Sequence, residues 1–305
     1  MPTRQGSVRL FSYSGITVFL HWSWFLVAVY EINAHRGGYS SVGWNVAEYV
    51  ALFLIVMLHE FGHALACRQV GGTANQIVLW PFGGVAYVNP PPRPGATLWS
   101  IAAGPLVNVA LTPVILGIGM VGNSAGWART VPDAAQLVHW VLLINLGLLV
   151  FNMLPIYPLD GGQILRSLLW FVFGRARSLW VATILGFIGI PLFLLYALLQ
   201  QSAWLGLLGV FLLLNCWGGL QQARALSKIA KLPRREGFAC PRCKTAPPLG
   251  AYWKCAHCGQ SFDTFATGAS CPNCRAQFNV TRCFDCGGSR PIAEWTVANL
   301  VPANL

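Results

Sequence analysis

Long apolar runs alternate with short polar or proline-rich breaks along this chain. A run of about 18 or more apolar residues is long enough to cross a bilayer's hydrocarbon as a helix. On that criterion the pattern predicts six spans, at about 16–33, 46–66, 97–119, 136–154, 178–199 and 203–223. The first holds His21 and Glu31 with no small-residue cleavage site after it, so it is expected to be a span rather than a removable leader. Between the second and third, IVLWPFGGVAYV (77–88) places β-branched and aromatic residues on both sides of Phe82-Gly83-Gly84, which predicts a strand pair. Pro90, Pro91, Pro92 and Pro94 then give a stiff connector. A hairpin this apolar, between two spans, is expected to dip into the membrane, where non-helical backbone survives only against protein or a wet cavity; a surface hairpin is the alternative. The third run carries Ala103-Gly104-Pro105-Leu106-Val107-Asn108: small residues allow close helix approach, and Pro105 should disturb the hydrogen-bond ladder. The fourth ends in Asn152-Met153-Leu154-Pro155-Ile156-Tyr157-Pro158-Leu159-Asp160-Gly161-Gly162, two prolines breaking the helix before a short amphipathic segment at about 161–173. Taken alone, Asp160 reads as the N-cap of that segment.

Composition agrees with the pattern. Of 305 residues, 55% are hydrophobic and only 10% charged, against about 25% charged in soluble domains. The net charge of +11 resembles a nucleic-acid signal until its distribution is considered. With six spans both termini share a side, and that side receives Arg4, Arg9, Arg68, Arg93, Arg166, Arg175, Arg177, Arg224, Lys228, Lys231, Arg234 and Arg235, the other only Arg36 and Arg129. This is the positive-inside pattern and predicts a multi-pass protein of the cell membrane with cytoplasmic termini.

The second run contains His59-Glu60-Phe61-Gly62-His63. Imidazoles and a carboxylate inside a span are costly without compensation. Positions i and i+4 share a helix face, so His59 and His63 can point at one metal ion, with Glu60 about 100° round and placed for general-base work. A histidine pair satisfied within the bundle is the plainer alternative. Topology adds weight: spans two and four run in the same direction, so His59, His63 and Asp160 fall at similar depth.

Eight of the ten cysteines lie in four CxxC knuckles: Cys240/Cys243, Cys255/Cys258, Cys271/Cys274 and Cys283/Cys286. Two knuckles complete one tetrahedral four-thiolate site. The economical grouping is sequential, with Cys240, Cys243, Cys255 and Cys258 around one zinc and Cys271, Cys274, Cys283 and Cys286 around a second; cross-pairing stays open. Disulfides conflict with a reducing cytoplasm. Residues 239–305 hold six Lys or Arg and three Asp or Glu, so with eight thiolates and two zinc ions the tail is near neutral and nucleic acid is not an expected partner. Closed four-thiolate sites are structural, which suits a protein-interaction module with a cytoplasmic partner, or a lid.

HEFGH, WPFGGVA, AAGPLVNV and NMLPIYPLDGG, in this order over about residues 10–175, resemble the site-2 protease family of intramembrane zinc metalloproteases. The resemblance implies catalytic zinc on His59, His63 and Asp160, with Glu60 activating water. It implies that Asn108 and Asn152 hold the substrate backbone or the developing oxyanion, and that the hairpin, with Gly83 and Gly84, lies beside the substrate. It also implies a three-helix catalytic core in spans two to four. Relatives often carry CBS or PDZ domains, in place of which this chain has the cysteine tail.

The expected fold is therefore an all-α polytopic membrane protein of about six transmembrane helices with a membrane-associated β-hairpin and a C-terminal double zinc ribbon. The divisions are 1–228 (transmembrane metalloprotease domain), 229–238 (basic linker) and 239–305 (double zinc ribbon and tail). The expected activity is zinc-dependent cleavage of transmembrane segments of other membrane proteins in the lipid bilayer, using one catalytic and two structural Zn2+. The alternatives are a non-proteolytic membrane zinc protein acting as a scaffold through its ribbons, against which the intact Glu60 argues, and a hydrolase of lipids or small molecules. His21 is expected to pack or lie at the interface, with a role near the site as the alternative; His139 and His257 are not expected to bind the catalytic metal.

Overall fold

The computed structural model describes residues 6–34, 38–80 and 83–296; Arg4, Arg36, Phe82 and the last residues of the tail, named above, lie outside them. Contacts divide the chain into two units, residues 1–174 with 181–219, and residues 175–180 with 220–305.

The first unit opens with strands β1 (Ser7–Tyr13) and β2 (Ile16–His21), then helix α1 (Trp24–Ala34). The expected first span is thus not one helix. In 16–19 the side chains alternate between buried and half-buried, with Ile16 and Val18 inward, the period of a strand rather than a helix. Four of its six residues are apolar, and its other face is half-buried. The 11 residues of α1 reach about 16 Å at 1.5 Å per residue, half a bilayer's hydrocarbon.

Helix α2 (Val42–Gln69) follows, then β3 (Thr73–Trp80) and β4 (Gly83–Asn89). β3 and β4 pair antiparallel, Ile77 opposite Ala86 and Trp80 opposite Gly83. β2 joins them, running parallel to β3 with Val18 opposite Ile77. The sheet order is therefore β1-β2-β3-β4, leaving β4 as an edge. Ile16, Val18, Ile77 and Leu79 form one core with Val56, Ala64 and Cys67 of α2. The strands near residues 7–21 enlarge the expected hairpin to four strands, a pairing that short-range sequence cannot show.

Helix α3 (Pro94–Ser124) runs through both Pro105 and Pro113, so Pro105 does not end it. A short α4 (Trp127–Thr130) leads to α5 (Pro132–Asn152). After the two prolines, α6 (Asp160–Leu199) breaks at Gly174, whose φ of 76° and ψ of 171° leave the helical region. Helix α7 (Ala203–Ala230) follows. Among the described residues five helices, α2, α3, α5, α6 and α7, are long and apolar enough to cross a membrane. Many of their leucines and valines stay exposed, Leu198, Leu199 and Leu214 among them, as lipid-facing positions must.

The second unit has two short pairs, β5 (Trp253–Lys254) with β6 (Ser261–Phe262) and β7 (Thr281–Arg282) with β8 (Ser289–Arg290). Trp253, Phe262, Phe265 and the fully buried Trp295 form its core with the cysteines. Its two ends meet where Ala239 N–H donates to Trp295 O at 2.8 Å. Residues 229–238, expected as a linker, hold two anchors: Arg234 forks onto Asp285 at 2.7 and 3.0 Å, and Arg235 pairs with Asp263.

Candidate metal centre

His59, Glu60 and His63 are all buried on α2. Their donor atoms lie within 4.8 Å of one another. His59 Nε2 is 3.0 Å from His63 Nε2. Asp160 brings Oδ2 to 3.1 Å from His59 Nε2 and 3.3 Å from His63 Nε2. Asp160 is the first residue of α6 and not its cap: the cap position is Leu159, without a side-chain cap bond. The proline break between α5 and α6 lets the chain turn back so that this carboxylate meets α2.

The ring nitrogens farther from this meeting point are both engaged. His63 Nδ1 lies 2.9 Å from the Ser100 carbonyl, which can only accept, so Nδ1 carries the proton. His59 Nδ1 lies 2.7 Å from Asn108 Oδ1. As neutral rings both then present Nε2 lone pairs, and two lone pairs 3.0 Å apart cannot bond to each other. A cation between them resolves the conflict. A tetrahedral ion with bonds of about 2.0–2.1 Å holds its donors about 3.3–3.4 Å apart, close to the three distances found. Two imidazoles and a carboxylate suit zinc with one position left open.

Glu60 points to β4. Its Oε2 accepts the Ala86 N–H at 2.8 Å. This N–H is free to do so because β4 is an edge strand. Gly84 of β4 packs against the Glu60 side chain so closely that a Cβ there would lie 2.1 Å from Glu60 Cγ. Gly83 begins the same strand.

Asn108, expected beside the substrate, is fully buried, with its Oδ1 facing His59. Asn152 is half-buried at the end of α5 and, among the described residues, has no side-chain hydrogen bond. His21 stacks on Trp80 with centroids 4.1 Å apart and does not bond to the three donors. His139 packs edge-on to Trp140. Sequence reasoning missed Asn145 and Ser100. Ser100 acts through its backbone, which leaves no side-chain signal; a polar residue within an apolar span was the available sign for Asn145.

The cysteines group otherwise than in chain order. Cys240, Cys243, Cys283 and Cys286 form one cluster, and Cys255, Cys258, Cys271 and Cys274 the other. Sγ atoms approach to 3.7 Å for Cys240–Cys286 and Cys243–Cys283, and to 3.5 and 3.6 Å for Cys255–Cys274 and Cys258–Cys271. Zinc–sulfur bonds of about 2.3 Å give tetrahedral edges of about 3.8 Å, so both clusters fit. The reason for the nesting is the meeting of the module's ends at Ala239 and Trp295, which carries the first knuckle to the last. The Cys283 sulfur 3.7 Å away favours the thiolate form of Cys243, the ionisation a metal requires.

The model of peptidase family M50 matches residues 47–136 and 128–196. "Zinc metalloprotease MJ0392" of Methanocaldococcus jannaschii is 32% identical over 222 residues, covering 72% of this chain and 61% of that protein. "Stage IV sporulation protein FB" of Bacillus subtilis is 31% identical over 183 residues, covering 57% of this chain and 58% of the relative. The chain thus spans about three fifths of the length of these curated relatives. The solved "Site-2 Protease from Methanocaldococcus jannaschii" superposes with a TM-score of 0.51 at 28% identity, covering 70% of this chain and 95% of that one.

Proposed function

We propose that the chain belongs to peptidase family M50, on the support of the family model and of the relatives alike, and that it cuts within membrane-spanning segments of other proteins. The family and the named zinc metalloproteases support a membrane zinc metalloprotease. What carries the finer reading is the meeting of His59, His63 and Asp160 donors beside Glu60 on helices of membrane-crossing length.

His59, His63 and Asp160 would hold the ion, which when bound supplies Lewis acidity and acidifies water. Glu60 accepts the proton of the attacking water and returns it to the leaving amine. The Ala86 N–H aims the carboxylate and disperses its charge while it waits. Asn152, unpartnered and half-buried near Asp160 in sequence, is the donor we assign to the developing oxyanion; Asn108 positions His59. A helical substrate hides its peptide groups and must unwind before cleavage. Gly83 and Gly84 lie in β4, whose free edge would take an extended segment beside Glu60. The two cysteine clusters would each hold one structural zinc, making three ions in all, and the ribbon module would bind a cytoplasmic protein partner.

In the same reading the basic ends of the helices face the cytoplasm. β2 and α1 in succession replace the expected first span: six strand residues and eleven helical ones reach about 36 Å at 3.3 and 1.5 Å per residue, enough for a crossing.

The test is Glu60→Gln in the full chain with a single-span membrane substrate in vesicles. The variant is expected to keep its zinc and lose at least about a hundredfold in cleavage rate. It should also trap uncut substrates for identification by mass spectrometry. Cleavage within about tenfold of the parent would sink the assignment.

A further inference from the structure

We propose that Asn145 of α5, which reaches no metal donor itself, is a positioning residue that fixes the ring tautomer of His59 through Asn108. The inference rests on the reading of His59 as a metal ligand. Asn145 and Asn108 are both fully buried. Asn145 Nδ2 donates to the backbone carbonyl of Asn108 at 2.9 Å and to Thr112 Oγ1 at 3.0 Å. Thr112 Oγ1 in turn donates to the same carbonyl at 2.9 Å. A carbonyl has no proton to give, so the Asn145 amide cannot be flipped without facing oxygen to oxygen. Its Oδ1 must therefore face Asn108, and it accepts the Asn108 Nδ2–H at 2.9 Å. That orients the second amide in turn: Asn108 Oδ1 faces His59 Nδ1 at 2.7 Å and only accepts. His59 Nδ1 then carries the proton and Nε2 keeps its lone pair for the ion. A chain of fixed donors and acceptors thus runs from a backbone carbonyl to the metal side of His59, within the buried interior where each unmade bond is costly.

A carboxylate at position 108 would hold the His59 Nδ1–H without help, since both of its oxygens accept. The prediction is therefore a dependence, not only a loss. Full-length protein in detergent is loaded with zinc, and metal loss to a chelator is followed for the parent, His59→Ala, Asn145→Leu, Asn108→Asp and the Asn108→Asp/Asn145→Leu pair. His59→Ala identifies the ion concerned by the equivalent it removes. Asn145→Leu is expected to speed loss of that equivalent about tenfold or more, the usual cost of an outer partner of a metal ligand. In the Asn108→Asp background the same change is expected to alter the rate by less than about twofold. An equal effect in both backgrounds would mean that Asn145 only packs, and no effect in either would mean that it does not act on His59; both overturn the proposal. If His59→Ala keeps the parent's zinc count, the metal reading itself fails instead. Should Asn145→Leu not fold by thermal melting, Asn145→Ser, smaller and with a hydroxyl, carries the same comparison.

Discussion

A Cβ built on Gly104 would lie 2.2 Å from His63 Nε2 and 2.8 Å from His59 Nε2, so this glycine of α3 clears the space in which the two imidazoles face each other. Gly84 of β4 does the same for Glu60. The two sites predict different failures. Gly104→Ala is expected to cost the protein one zinc equivalent, because the intruding methyl displaces a donor. Gly84→Ala is expected to keep all its zinc and still lose most cleavage, because it displaces the base and the strand that holds it. Metal analysis beside a cleavage assay separates them, and a Gly84→Ala variant with parental activity would remove β4 from the proposed mechanism. His59, Glu60 and His63 were legible in the sequence because a helix makes i and i+4 neighbours by geometry alone. Asn145 was not, because its partner Asn108 is 37 positions away and nothing local marks the pairing.

Asp160 opens α6, where the helix N-terminus favours a negative charge in any case. Its side chain nonetheless turns to His59 and His63. Capping and ligation separate by size and by kind of effect. Loss of a cap costs about 1 kcal/mol of stability and leaves metal in place. Asp160→Ala is instead expected to lose one zinc equivalent from the full chain, read by metal analysis; an unchanged count would return Asp160 to a purely local role. The element that sequence misjudged most was the first. A largely apolar stretch, buried on one face and half-buried on the other, has little polar rhythm to distinguish strand from helix, so 16–21 was read as part of a span. The Ser14-Gly15 turn and the β-branched residues just after it were the available signs.

Across the whole chain, the nested cysteine clusters make a countable prediction. In the sequential grouping Cys243 and Cys283 belong to different ions, so the double variant Cys243→Ser/Cys283→Ser would release two. In the grouping found here they share one, and the double variant is expected to release a single equivalent, as each single variant does. Total zinc by mass spectrometry of the full chain decides between them.

The candidate metal centre and the membrane class of this protein were written in local features: a four-residue helical spacing, apolar runs of bilayer length, and paired thiols. Short-range geometry is enough to specify these, whatever the rest of the chain does. The four-strand sheet, the nesting of the knuckles and the Asn145–Asn108–His59 chain belong to another kind of information. Each joins residues brought near only by packing, and the sequence carries no local mark of which distant backbone edge, thiol or amide will complete the bond.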